Sequence, residues 1–241
     1  MRLTTFAAAC TLAALAGCAT TAPGTAPAQT RNEPAAKNVI FFLGDGMGIN
    51  TLTAARIFAV GESGDLTIDT LPESAFVKTF SNNAQVTDSA ASMAAYMTGV
   101  KQNNGVISMS TDTRSIAPGQ DKNGNRLVNR CENGTPVPTL AELAQQRGIA
   151  TGIVTNTSVT DATPATVYAH FCHRKVENDI AAAMVPGGAG FNTALGKGLD
   201  VVFGGGVQFF TPFENGGKRS DGRDLLAELS ARGFRVATSP A

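Results

Sequence analysis

Apolar runs of strand length, separated by segments with helical spacing, constrain this chain more than any other feature. NVIFFL (38–43) is a continuous apolar run that breaks at Gly44, the pattern of a parallel strand buried on both faces. LDVVFGGG (199–206) repeats it, and IATGIVTN (149–156) reads as another buried strand. AFVKTFS (75–81) and FRVAT (234–238) add two more expected strands. Between them, INTLTAARIFAV (49–60) carries Leu52, Ala55, Ile57 and Phe58 at helical spacing, and SAASMAAYMT is a helix that Gly99 ends. Thr139 and Glu142 form a capping box in front of LAELAQQRG, and DLLAELSARG is a further helix. Strands alternating with helices predict an α/β fold, a mostly parallel sheet with helices on both faces. In such sheets, sites lie off the carboxyl ends of strands. That rule selects GDGMG (44–48), TNTSVTDATPA (155–165) and FGGG (203–206).

The first residues belong to export rather than to this fold. Met1 and Arg2 precede the apolar stretch LTTFAAACTLAALAG, which is too short to span a bilayer and has the length of a signal-peptide core. Leu15-Ala16-Gly17-Cys18 resembles a bacterial lipobox, so residues 1–17 are expected to leave as a lipoprotein-type signal and Cys18 to carry lipid. Ala19, where an Asp would argue for inner-membrane retention, points to the outer membrane and the periplasmic side. Residues 18–36 are rich in Pro, Ala and Thr and read as a flexible tether; 37–241 form the folded part. Lys plus Arg and Asp plus Glu number 19 each, so no global field directs the chain to nucleic acid. Cys131 and Cys172 are then the cysteines left to the mature domain, and in an oxidising compartment a disulfide between them is expected. It would close a loop of about 40 residues, worth roughly 4 kcal/mol on the chain-entropy estimate.

Asp45 stands directly beyond a strand between glycines, where a carboxylate suits a hard or borderline cation; Gly-Asp-Gly is equally ordinary turn chemistry. In VTDSAASMAAYMTGVK (86–101), Ser89 begins a helix whose N-terminus favours an oxyanion, and Ala90, Ala91 and Ser92 leave room for one. Asp88 or Ser89 could also serve simply as an N-cap. His170 and His173 are the two histidines, both inside YAHFCHRK, and no Gly-x-Ser-x-Gly elbow occurs. A Ser–His–Asp triad stays open without that elbow, and metal coordination of the hydroxyl is the more direct route by which Ser89 would be activated. In TDATPATVYAHFCHRK (160–175), Asp161 and Thr163 offer a carboxylate and a hydroxyl to one oxygen-rich site, and Arg174 offers a planar fork for two phosphate oxygens. Taken singly, Asp161 and Thr163 read as caps and Arg174 as a surface cation.

Together these motifs carry a resemblance. NVIFFLGDGMG, VTDSAASMAAYMTGVK, DATPATVYAHFCHRK and DVVFGGG stand in the order and approximate spacing found in the metal-dependent alkaline phosphatases, from about Lys37 onward. The resemblance implies a phosphate monoester hydrolase acting through a phosphoserine. Ser89 is then the nucleophile and a metal-site member, Arg174 the phosphate clamp and Asp88 its support. Asp45 would bridge a zinc and the magnesium, with Thr163 a magnesium ligand and Asp161 supporting that site. The complete enzyme would use two zinc ions and one magnesium ion, bind no nucleic acid specifically, touch membrane only through Cys18, and could form a homodimer.

The family's remaining zinc ligands, mainly Asp and His, and a magnesium-binding Glu lie in its second half. The sequence ends at Ala241 before any such positions, and neither His170 nor His173 matches one. The chain thus reads as an N-terminal portion whose own turnover is in doubt. The alternatives are a non-catalytic phosphate- or metal-binding lipoprotein, or an inactive remnant; a sulfatase or phosphodiesterase relative fits the Asp–Ser context less well.

Overall fold

Glycine and β-branched residues meet in the one paired sheet of the computed structural model, which describes residues 38–119 and 133–237. Strand β1 (Gly152–Ser158) runs parallel to β2 (Val201–Gly205), with Gly152 opposite Val201 and Val154 opposite Phe203. Parallel pairing needs a long crossover, and the chain supplies it with α4 (Ala162–Ala165) and α5 (Glu177–Ala183). Upstream lie α1 (Ile49–Val60), α2 (Ser89–Thr98) and α3 (Leu140–Gln145); α6 (Leu225–Ala231) follows β2. The α/β class with a parallel sheet is as the sequence predicts.

Three expected strands are not strands. The chain divides between Leu43 and Gly44. In the first unit, residues 38–43 form neither helix nor strand and stand exposed, Phe42 at 89%. In the second, 75–81 and 234–237 form no strand either, and Thr238 lies outside the described residues. The physical reason is common to all: a strand exists only by pairing its N–H and C=O groups, and among the described residues no segment pairs with these. The faces of the sheet also differ from expectation. Ile153 is buried, while Val154 (78%) and Phe203 (60%) are exposed, so the apolar runs are not covered on both sides.

The core instead gathers around small residues. Ala90 and Ala94 of α2 are fully buried, as are Ala162 and Ala165 of α4, and the two helices pack together. Ile107, Tyr168, Ile180, Val185 and Leu195 fill the space beside them. The Tyr168 hydroxyl donates to Val159 O at 2.8 Å, and full burial pushes the phenol far above its ordinary value. Caps read from sequence form as expected. Thr139 and Glu142 satisfy each other's backbone N–H at the start of α3, and Gly99 closes α2 in the left-handed region.

Candidate active site

Asp88 is where the site begins, because one side chain does two jobs. As N-cap of α2, its Oδ1 accepts from Ala91 N at 3.0 Å. Its Oδ2 accepts from Gly105 N at 2.9 Å and from Arg174 Nη1 at 3.2 Å. Capping and clamp support, posed as rivals by the sequence, coexist on opposite oxygens of one carboxylate. Asp161 repeats the device: it caps α4 by accepting from Ala162 N at 2.8 Å, and the same Oδ1 accepts from Arg174 Nη2 at 3.0 Å. Arg174 is therefore held by two carboxylates on the N-caps of two helices, with a fifth of its side chain exposed (21%).

Capping places Ser89 at the first position of α2, half-buried. Its hydroxyl donates to Asp45 Oδ1 at 3.0 Å, and the Thr163 hydroxyl donates to Asp45 Oδ2 at 2.8 Å. Ser89 and Thr163, 44 and 118 positions from Asp45, converge here on its one exposed carboxylate. Gly46, directly after Asp45, adopts φ 65°, a left-handed turn that a side chain would strain. The sequence-predicted residues thus fall into two linked groups. Asp45, Ser89 and Thr163 form one; Arg174, Asp88 and Asp161 form the other, joined through the Asp88–Ser89 peptide. Asp161 is brought to Arg174, and its side-chain Oδ1 accepts from Arg174 and from Ala162 N.

Asp88 and Asp161 pair with one guanidinium and Asp45 adds a third carboxylate, so these four side chains are net negative. A phosphate dianion entering it requires additional positive charge. The donors present suit one kind of cation. Asp45 with the Ser89 and Thr163 hydroxyls offers hard oxygen, the set that magnesium takes. Two zinc ions need about three donors each, preferably nitrogen or carboxylate. Among the described residues no three His, Cys, Asp or Glu gather around a common point.

Other residues at the site carried no signal of their own in the sequence. Gly105, at φ 85°, donates to Asp88 and accepts from Arg174 N at 2.7 Å, so its backbone bridges the pair. Asn104 Oδ1 accepts from Asp88 N at 3.2 Å. The dipeptide Asn-Gly marks a turn, and that is the cue a sequence reader had. Cys172 is buried and disulfide-bonded; Cys131, the expected partner, lies outside the described residues, as does Cys18.

The sequence profile described as Alkaline phosphatase matches residues 36–239. The alkaline phosphatase of Gadus morhua is 36% identical over 224 residues, covering 83% of this chain and 44% of the relative. Streptomycin-6-phosphate phosphatase of Streptomyces griseus is 36% identical over 230 residues, covering 90% and 46%. The chain thus spans about half the length of the curated relatives it matches. Among solved structures, the alkaline phosphatase from the Antarctic bacterium TAB5 superposes with a TM-score of 0.60 at 29% identity, covering 82% of this chain and 46% of that one. A variant of the TAB5 enzyme with magnesium bound gives 0.61 at 30% identity, covering 82% and 45%.

Proposed function

The chain belongs to the alkaline phosphatase family, and from that premise we propose that its site takes part in hydrolysis of phosphate monoesters through a phosphoserine on Ser89. The observation that carries the reading is the placement of Ser89. Its hydroxyl bonds Asp45 on one side, while its helix cap, Asp88, holds Arg174 on the other. Arg174 presents its planar fork to two phosphoryl oxygens, and the α2 N-terminus adds partial positive charge. Asp88 and Asp161 fix that fork, so little ordering is left to be done when substrate arrives. The Ser89 Oγ attacks phosphorus as its proton leaves toward Asp45 Oδ1, the P–O bond to the alcohol breaks, and water then cleaves the phosphoserine.

Asp45, Thr163 and Ser89 would hold a magnesium ion, with Asp161 supporting the loop that carries Thr163. Bound there, the cation supplies the positive charge that the three carboxylates leave lacking. The magnesium found in the TAB5 variant supports this assignment. Two zinc ions beside it complete the proposal, with Asp45 and Ser89 as the contribution of the residues described. We also place the protein on the periplasmic side, anchored by lipid on Cys18, with Cys131 as the disulfide partner of Cys172. Metabolic labelling with a fatty acid and non-reducing peptide mapping read these two features directly; an unlabelled Cys18 or a free Cys131 would remove them.

The test of the function is to trap the intermediate. Incubation with an aryl phosphate at acidic pH, followed by peptide mapping, should recover phosphate on Ser89, and Ser89→Ala should lose the label with several orders of magnitude in kcat. Undiminished turnover in folded Ser89→Ala protein returns Ser89 to an ordinary helix start. Phosphate or magnesium binding with no turnover in the parent chain favours the non-catalytic binding alternative.

A further inference from the structure

His170 is bonded on both sides. Its Nδ1 lies 2.7 Å from Ser108 O and its Nε2 lies 2.6 Å from Glu142 Oε1. A carbonyl oxygen can only accept, so Nδ1 carries a proton. The Glu142 carboxylate is already an acceptor: Oε1 takes Asn192 Nδ2–H at 2.6 Å and Oε2 takes Thr139 N–H at 2.8 Å. The same carboxyl faces Nε2, so both ring nitrogens are engaged. Burial raises the Glu142 carboxyl, yet the bonds from His170 and Asn192 outweigh it and hold the group below its ordinary value. The pair is nearly sealed, at 10% and 2% exposure.

What this buried pair grips is the support of the phosphate clamp. Ser108 sits at φ 48°, the one described non-glycine residue in the left-handed region, and its carbonyl also accepts from Val137 N at 3.0 Å. Its hydroxyl donates to Thr166 O at 2.7 Å. From Ser108 a short antiparallel ladder runs back toward the site. Ile107 and Phe171 exchange both backbone bonds at 2.9 Å, and Arg174 N donates to Gly105 O at 2.7 Å. Gly105 N in turn holds Asp88 Oδ2. The ladder has few rungs, so its register depends on what fixes its far end. His170 and Ser108 are that end.

We infer that His170, held between Ser108 and Glu142, is a positioning residue that sets the register of the 105–108 and 171–174 segments and so the placement of Arg174 against Asp88. The role of the clamp in binding phosphate rests on the function proposed above; the positioning itself does not.

The experiment uses the full chain labelled with ¹⁵N. The parent ring should show Nδ1 protonated and hydrogen-bonded to Ser108 O; an unprotonated Nδ1 would overturn the inference. In Glu142→Gln, amide exchange at Gly105 and Arg174 should quicken about tenfold or more, while Val159 N–H, which bonds Gly205 O beside the sheet, keeps its rate. A purely structural role would quicken all three together, and that result overturns positioning. Should Glu142→Gln fail to fold, His170→Gln is read the same way, and the parent ring spectrum decides if both fail. Titration with inorganic phosphate separates the two claims. If Gly105 and Arg174 loosen and phosphate binding weakens, both stand; if they loosen and binding is unchanged, the positioning stands and the phosphate role of Arg174 falls.

Discussion

Between Gly44 and Phe80 not one residue is buried, whereas between Ser81 and Val185 lies most of the core. Both stretches are rich in apolar side chains. Helix α1 carries Leu52, Ile57 and Phe58 at helical spacing, yet Phe58 stands 93% exposed; α2 carries small residues on its packed face, yet Ala90 and Ala94 are sealed. The difference teaches that an amphipathic pattern becomes core only where a partner surface meets it. Small residues let α2 and α4 meet closely although they lie far apart in the sequence. The site straddles this division. Ser89, Asp88, Asp161, Thr163 and Arg174 come from the packed stretch, and Asp45 alone comes from the other, tied through two side-chain bonds. The anion clamp is therefore built into packed structure, while the carboxylate proposed for the cation rests on a compliant turn.

Stability should divide along the same line, and here the expected effect is largest. Ile180 in α5 is fully buried, so Ile180→Ala should cost about 2–5 kcal/mol through lost burial and a residual cavity. Phe58→Ala, which deletes a larger side chain, should stay within about 0.5 kcal/mol. Urea denaturation midpoints measure both. An equal loss at Phe58 would break the comparison, because it would mean that α1 is covered by another surface in solution.

Next in size is the clamp. Arg174→Ala should raise KM and lower kcat in protein that turns over an aryl phosphate, by about 2–4 kcal/mol in total, the usual range for removing one partner of a bonded charge pair. It also leaves Asp88 and Asp161 facing each other without their shared cation. Arg174→Lys should recover only part, since an ammonium cannot present a two-pronged fork or span both carboxylates. Full recovery by Lys would mean that the site needs a point charge and that the packed geometry is irrelevant to it.

Helices α1, α2, α3 and α6, both paired strands and the six residues that the structure brings together were named from the sequence, but for different reasons, and α5 was not read. Helix ends are local chemistry: Asp88, Thr139 and Asp224 cap through their own side chains, and Gly99 accepts a positive φ. Local chemistry can be read one residue at a time. The site residues were legible through the order of motifs, since no single one of them exceeded an ordinary cap or turn. NVIFFL, AFVKTFS and FRVAT failed as strands because pairing is not local, and an apolar run says nothing of what lies beside it. The link from His170 to Glu142 escaped for a related reason. Glu142 was read as half of a capping box, which it is, and its other oxygen was free to meet a residue 28 positions away.

Acid should produce the smallest effect and locate it most finely, because each side of the division holds one carboxylate lowered by a cation. On the exposed side, the bond from Arg56 chiefly lowers Asp69. On the packed side, Glu142 is lowered from its ordinary value of 4.5 against the opposing effect of burial. A carboxylate lowered in the folded state contributes stability that is fully present above its unfolded value and is lost as pH falls through its folded value. Both pairs should therefore weaken on acidification below the ordinary carboxylate range, and neither should respond to a rise from neutral pH through its own carboxylate. Salt separates them. The Arg56–Asp69 pair lies at the surface, where molar salt screens charge within about 3 Å, while Glu142 is sealed at 2% exposure and keeps its partners. Urea midpoints followed from pH 6 downward, in low and in molar salt, should show an acid loss that salt only partly removes. The salt-resistant part should shrink in Glu142→Gln, leaving what Asp200, Asp221 and Glu228 contribute, and stay unchanged in Asp69→Asn. A salt-resistant loss that instead follows Asp69 would place the protected charge pair on the exposed side and dissolve the contrast between the two stretches.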